Sequence, residues 1–323
     1  MAYVDLVSTG LTPVQGGSTY NFSYDTPISA DGSPHLTHMG FQIDGKVGAG
    51  PAFVSTIGRL ITNIRIKIGS NTIVDFNDPF ANVDGTTPSN LSCLAAKVRG
   101  VDMISPINAD GSEFLSEVAL PFGLDASRSH RVNFTITLGS ETTWCGQAFD
   151  VGATQFNVVN YYGTAADSTL YGSRQDFTLT NGAERAITIY GKQGWSMLGI
   201  SAINDTDADE VSQIRVNNGA FRALKIQQWR VLDSTYLNGI RTIGADLNAP
   251  SWVLSRAGFV FLDLKRITAG ANIDLIVSST ADTTYSFFPV WVAPLNAKTA
   301  NAPQQTIKTV SSTAKDVESE SYN

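Results

Sequence analysis

The sequence predicts an all-β chain built as two consecutive antiparallel sandwiches. Three observations lead there: a composition rich in turn and strand residues and poor in charge, apolar residues that alternate with polar ones, and a pattern that occurs twice. Charged residues make up 16 % of the 323, against about 25 % in an average soluble domain. Ser, Thr, Asn and Gly fill the difference, with 28 Gly and 12 Pro spread along the chain. Such a mixture suits short strands joined by turns and suits solvent-facing helices badly. Hydrophobic residues reach 42 %, enough for a core in each of two domains of ordinary size.

The first clear element is a hairpin. Ile64, Ile66 and Ile68 alternate with Arg65 and Lys67, pause at Gly69-Ser70-Asn71, and resume at Val74 and Phe76 around Asp75. One buried face and a tight turn explain that spacing. A helix follows, with Thr87-Pro88 as N-cap and first turn, Leu91, Leu94, Ala95 and Val98 on one face, and Lys97 and Arg99 in the last turn. Gly100 is expected to end it. Val132, Phe134, Ile136 and Leu138 then alternate with Arg131, Asn133, Thr135 and Thr137 until Gly139, a period of two that belongs to sheets.

The second half repeats this order. Ile214-Arg215-Val216, the turn Asn217-Asn218-Gly219 and a strand through Phe221 echo the hairpin at a shift of 150 residues. Asp233-Ser234 can open a shorter helix through Leu237 and Ile240. Asn272, Ile273, Leu275 and Val277 echo Asn133, Phe134, Ile136 and Leu138 at a shift of 139, which also places Phe122 on Phe261. Two copies of one fold account for that order. The interruption at Thr142 to Thr154, with Trp144, Cys145, Gly146 and Gly152, suggests domains at 1–148 and 149–295. Residues 296–323 hold little to bury and read as a flexible polar tail.

Charge excludes some functions. The net charge is −7, and the first twenty residues hold one charged side chain, Asp5, and no base. Wrapping nucleic acid needs clustered Lys and Arg, so direct binding to a genome is not expected. Met1 to Leu11 has neither a basic start nor an apolar block, so a cleavable signal is not expected. No apolar run is long enough for a spanning helix. Cys93, on the apolar helix face, and Cys145, in a turn-like segment, have no metal-ligand spacing and read as free thiols.

No catalytic, cofactor or metal site emerges. His35 and His38 sit three apart where a loop enters a strand, a spacing that sends side chains to opposite faces. His130 precedes a strand without an evident partner. Gly40 to Lys46 nearly spells a phosphate loop, but Val47 stands where Ser or Thr must follow and no helix comes after. Ser196, within Gly194 to Gly199, lacks the glycine placement of a nucleophile elbow. Asp205, Asp207 and Asp209 alternate beside Glu210 like cation ligands. A calcium loop, however, needs Gly where Glu210 stands and Glu where Val216 stands, so a solvated loop is the expectation. Trp229, Trp252 and Trp291 lie in apolar runs and read as core rather than as a sugar platform.

Two consecutive eight-strand sandwiches, an acidic balance and no catalytic signature resemble the double jelly-roll major capsid proteins of tailless icosahedral viruses, the membrane-containing bacteriophages and adenovirus-like viruses among them. The resemblance spans about residues 15 to 295 and rests on the order of elements, not on a motif. It implies two tandem eight-stranded jelly rolls with short helices in connecting loops, and no enzymatic activity. It implies a homotrimer of pseudo-hexagonal outline, made in the host cytoplasm and placed in the virion shell. Its partners would be neighbouring capsomers, vertex or penton and minor capsid proteins, and an internal membrane, which fits the missing basic arm. The chain is short for the family, implying a low capsomer. Two other readings use similar folds. A secreted two-jelly-roll amidase that releases glycans would need a leader, disulfides and a carboxylate pair drawn from only seven glutamates. A lectin or receptor-binding module would need exposed aromatics and a calcium loop.

Overall fold

The computed structural model describes residues 3–9, 15–48, 56–77, 90–108, 110–165, 167–204, 211–216, 224–225, 259–267 and 269–294. Among them the first half holds β1 (Tyr3–Ser8), β2 (Thr19–Asp25), β3 (His35–Lys46), β4 (Ile61–Ile68), β5 (Asn71–Asn77), α1 (Asn90–Lys97), β6 (Val101–Pro106), β7 (Glu113–Asp125), β8 (Arg131–Leu138), α2 (Glu141–Cys145) and β9 (Gln155–Gly163). The second half holds β10 (Asp167–Tyr171), β11 (Gln175–Leu179), β12 (Glu184–Ile189), β13 (Ser196–Asn204), β14 (Val211–Val216), β15 (Leu224–Lys225), β16 (Phe259–Ile267), β17 (Ile273–Ser279) and β18 (Thr283–Pro294).

The expected hairpin is β4–β5, turned by Gly69 at φ +60°, with Ile64, Ile66 and Ile68 all at most 2 % exposed. Val132, Phe134, Ile136 and Leu138 of β8 are buried as their alternation requires. In the region of the echo hairpin, Gln213 and Ile214 of β14 pair with Lys225 and Leu224 of β15. Its turn at 217–219, Phe221, and the helix expected from Asp233-Ser234 lie outside the described residues.

Each half is a two-layer sandwich. Sheet β1-β9-β3-β7-β6 faces β2-β8-β4-β5, and β10-β18-β13-β16, with β11 also on β18, faces β12-β17-β14-β15. Leaving out β6, and taking β10 and β11 together, each half runs first–eighth–third–sixth in one sheet and second–seventh–fourth–fifth in the other. Such interleaving buries one long-range strand pair after another. Phe41 of β3 meets Phe134 of β8 edge to face at 4.8 Å between ring centroids, joining the layers of the first half.

Pairing carries the first unit further than the expected limit of residue 148. β9 begins at Gln155, yet it is hydrogen-bonded between β1 and β3. The strand that closes a sandwich returns to lie beside the first, and local composition does not mark that return.

Helix α1 buries Leu91, Leu94 and Ala95 as expected; Thr87 and Pro88 lie outside the described residues. Its end differs from expectation. Arg99, not Gly100, takes the left-handed conformation, at φ +64°, and the Gly100 N–H donates to the Ala95 carbonyl at 2.7 Å. Glycine is needed at position 100 for another reason: a Cβ there would stand 2.4 Å from the Ala119 carbonyl oxygen.

Candidate functional site

The residues singled out for chemistry do not converge. His35 and His38 both lie on β3, but strict alternation between them fails. A register shift between Leu36 and His38 sends Leu36 and Met39, three residues apart, both into the core. His38 Nε2 lies 3.1 Å from the Arg99 carbonyl and Nδ1 lies 3.1 Å from Thr37 Oγ1, while His35 Nδ1 accepts from the Ala165 N–H at 3.5 Å. His130 is buried, its Nε2 2.6 Å from the Asp125 carbonyl oxygen. Burial pushes all three imidazoles below their ordinary range.

Cys93 and Cys145 are buried and unbridged. Cys145 closes the short helix α2, which replaces the expected turn, and its thiol donates to the Gln147 carbonyl at 3.2 Å. Burial pushes that thiol up, away from reactivity. Gly40 to Lys46 is continuous strand, and Ser196 opens β13 after a turn at Gly194. Trp291 is buried; Trp229 and Trp252, like Asp205, Asp207, Asp209 and Glu210, lie outside the described residues. Among the described residues no group of three or more His, Cys, Asp or Glu gathers as a metal would require.

Two carboxylates withdrawn from solvent were not anticipated, Asp102 half-buried and Glu117 buried. Asp102 on β6 accepts from Thr56 Oγ1 at 2.8 Å and from the Gly58 N–H at 3.2 Å, and Ser92 of α1 also bonds to it. It thereby ties the segment entering β4 to the start of α1. Burial pushes its carboxyl up to about 6, against the pull of these hydrogen bonds and of Arg59. Glu117 on β7 accepts from the Tyr161 hydroxyl and from Gln42 Nε2, and burial raises it above the ordinary carboxylate range. A lone acid inside an apolar run, as in Val101-Asp102-Met103-Ile104, is the signal that would have found the first.

The extended feature of the molecule is the junction between its halves. β10 lies across β7 and β5. Tyr171 donates to the Pro121 carbonyl at 3.0 Å and packs on Phe122, while Ser168 donates to the Gly123 carbonyl at 2.7 Å. Phe288 of β18 crosses to Phe76 of β5, edge to face at 5.0 Å. Gly123 is held at φ +66°, and a Cβ there would stand 2.2 Å from the Asp167 carbonyl oxygen. One face of sheet β10-β18-β13-β16 therefore covers the first sandwich while its other face builds the second core. That explains why β13 and β18 are buried almost throughout and carry few charges.

No family model and no curated protein matches the amino-acid sequence. Solved structures do match its fold. The major capsid protein P2 of bacteriophage PM2 aligns over 91 % of this chain and 99 % of its own, with TM-score 0.52 and 11 % identity. The STIV major capsid protein aligns over 91 % and 97 %, with TM-score 0.54 and 11 % identity. A chain of the Sulfolobus Turreted Icosahedral Virus structure aligns over 94 % and 96 %, with TM-score 0.55 and 11 % identity.

The fold is a double jelly roll.

Irregularities within the rolls align them residue by residue. β4 shifts register between Ile61 and Asn63, and β14 between Val211 and Gln213, which sets Ile64 on Ile214 at the shift of 150 read from the sequence. Their partners then set Ile136 on Val277, a shift of 141 rather than 139. β3 shifts between Leu36 and His38, and β13 between Met197 and Gly199, so His38 corresponds to Gly199. Following the pairs across, Tyr161 corresponds to Val290, Val4 to Tyr171 and Ala119 to Phe261. The sequence echoes chose the right strands; Phe122 on Phe261 is three residues out of register.

Proposed function

We propose that this chain is a structural shell protein, the major capsid protein of a tailless icosahedral virus. Three copies join into a pseudo-hexagonal capsomer, and capsomers tile the shell over an internal membrane. The observation that carries this reading is the sealed double jelly roll, which aligns with viral major capsid proteins over nine-tenths of the chain and nearly the whole of theirs. Fold likeness alone does not assign function, so the physical argument matters. Two rolls locked by Tyr171, Phe288 and Gly123 form one rigid building block, and three such blocks present six similar sandwiches around a ring.

The finer points follow the same reading. The first roll takes in β9, the second closes with β18, and residues 296–323 make up the polar tail. The chain acts by assembly, not catalysis, and occupies the virion shell after synthesis in the host cytoplasm. Vertex and minor capsid proteins contact its rim. Low charge and polar outer faces such as Thr19, Asn21, Asn133 and Thr135 suit wet, reversible contacts.

Native mass by light scattering, followed by electron microscopy of concentrated protein, tests the reading. A unit of about three times the 34.6 kDa chain that forms hexagonal arrays or closed shells supports it. A chain that stays monomeric at high concentration and forms neither would overturn it.

A further inference from the structure

We propose that the open edge of β2 is where a second copy of this chain adds its own β2, antiparallel about a two-fold axis, so that one sheet runs through two first rolls. This rests on the shell-building reading and adds to it a contact between capsomers.

The hydrogen bonds of the strand set its open side. β2 is the last strand of sheet β2-β8-β4-β5, and among the described residues it pairs with β8 alone. The Thr26 N–H donates to the His130 carbonyl at 2.9 Å, and the Leu138 N–H donates to the Ser18 carbonyl at 3.0 Å. Between those bonds the two strands run in step, without a register shift. Opposed residues in an antiparallel pair alternate between bonded and non-bonded positions. Tyr20, Phe22 and Tyr24 therefore turn their backbone groups toward β8, and Thr19, Asn21, Ser23 and Asp25 turn theirs away from it.

The strand lacks the devices that blunt an edge. Natural edges carry a Lys, a Pro, a bulge or a charge in mid-strand. β1 carries Asp5, β6 carries Asp102 and Pro106, and β12 opens on Glu184 and Arg185. β5 is met by the second roll, where Asp75 bridges to Ser173. The seven residues of β2 hold one charge, Asp25 at the end, and no Pro or Gly. Its outward side chains leave the edge bare by turning back on β8. Thr19 Oγ1 lies 3.0 Å from Thr137 Oγ1, Thr135 donates to Asn21 Oδ1 at 2.8 Å, and Arg131 donates to Ser23 and Asp25. A straight edge of this kind can add an extended strand through main-chain bonds.

The occupant that fits is the same strand. With the two-fold axis at Phe22, Asn21 lies opposite Ser23 of the second copy, and Thr19 lies opposite its Asp25. All four residues turn their backbone groups to the edge, so each pair exchanges two hydrogen bonds and the whole strand is used. An axis at Asn21 or Ser23 leaves part of the strand unpaired. Phe22 meets its twin in the non-bonded position, where side chains approach most closely. Phe22 is half-buried and stacked on Tyr24 at 5.5 Å between ring centroids, so the join shields the part of it that is exposed. No like charges stand opposite each other in this register, and a two-fold contact uses one patch twice.

Two measurements on the full chain test this contact. In the first, F22C is oxidised under array-forming conditions. Cys93 and Cys145 are buried, so the introduced thiol reacts alone. Twin Cα atoms at the non-bonded position lie about 4.5 Å apart, within disulfide reach. A covalent pair of twice the 34.6 kDa chain is expected. T19C is the control: the same register separates its twins by about 20 Å of strand, and it should stay single. In the second, N21K/S23K sets lysines opposite lysines and leaves the backbone bonds to β8 in place. This variant should keep its melting profile and its three-chain mass by light scattering, and lose the hexagonal arrays or shells that electron microscopy shows for wild type. It decides the matter if F22C does not fold. F22C that stays single, because a foreign strand or none takes the edge, overturns the proposal and leaves the shell reading standing. Equal pairing of F22C and T19C, or N21K/S23K arrays like those of wild type, does the same. A wild type that forms neither trimers nor arrays overturns both.

Discussion

Replacing Asp102 by Asn should flatten part of the pH dependence of stability. In the folded chain the Asp102 carboxyl is pushed up to about 6 from an ordinary 3.8. Raised pKa means that folding favours the protonated form. The stabilisation is fully present below pH 3.8 and is lost as pH rises through about 6. At about 1.36 kcal/mol per unit, the span amounts to about 3 kcal/mol between pH 4 and pH 8. Other carboxylates titrate in the same window, so the quantity to measure is the difference between wild type and D102N. Above pH 7 the variant escapes the cost of a buried charge. It also turns an amide donor toward Gly58 or Ser92, where a buried unsatisfied group costs about 1–3 kcal/mol. The two nearly cancel at pH 8, and the variant should be the weaker of the two at pH 4.5. With an unfolding entropy of about 2.1 cal/mol/K per residue, a swing of about 3 kcal/mol corresponds to about 4 °C for the whole chain. Differential scanning calorimetry at pH 4.5 to 8 reads this directly. Parallel Tm-versus-pH curves for the two proteins would refute the account of Asp102 as a buried acid that ties the β4 entry to α1.

Other consequences of the structure are as direct. G123A forces a Cβ onto the Asp167 carbonyl from a left-handed backbone, and should lower stability by about 2 kcal/mol or more in urea titration. F288A empties the contact between the rolls and should cost about 3–5 kcal/mol, read as a lower urea midpoint; an unchanged midpoint would mean that the junction is not packed as described. Cys93 and Cys145 should resist a thiol reagent in the native chain and react together on unfolding, and fast reaction of either in native buffer would contradict their burial. R65A on the outer sheet face breaks the exposed pair with Asp75 at 2.9 Å and should change stability by less than about 1 kcal/mol at moderate salt.

The amino-acid sequence by itself determined the fold class, the hairpin β4–β5, helix α1, strand β8 and the duplication, because each is written in local periodicity or turn chemistry. An Ile-Arg-Ile-Lys-Ile run can bury only one face as a strand, whatever it packs against. The repeat was legible to the residue at Ile64 and Ile214, just after the bulges at Ile61–Asn63 and Val211–Gln213, and slipped by two or three residues farther along. Pairing without a local irregularity leaves register to the partner strand. Only the tertiary structure decided where the first roll ends, since β9 is placed by hydrogen bonds to strands more than a hundred residues earlier. Only the tertiary structure showed that Arg99 takes the left-handed position, that a β-bulge separates His35 from His38, that Glu117 is buried and that Asp102 is half-buried among hydrogen-bond donors. Burial of a single side chain depends on what folds over it, and no neighbouring residue in the chain records that. The same holds for Val4 and Tyr171. They are equivalent in the repeat, but Tyr171 is covered by the strands β7 and β5 of the other roll while Val4 is exposed.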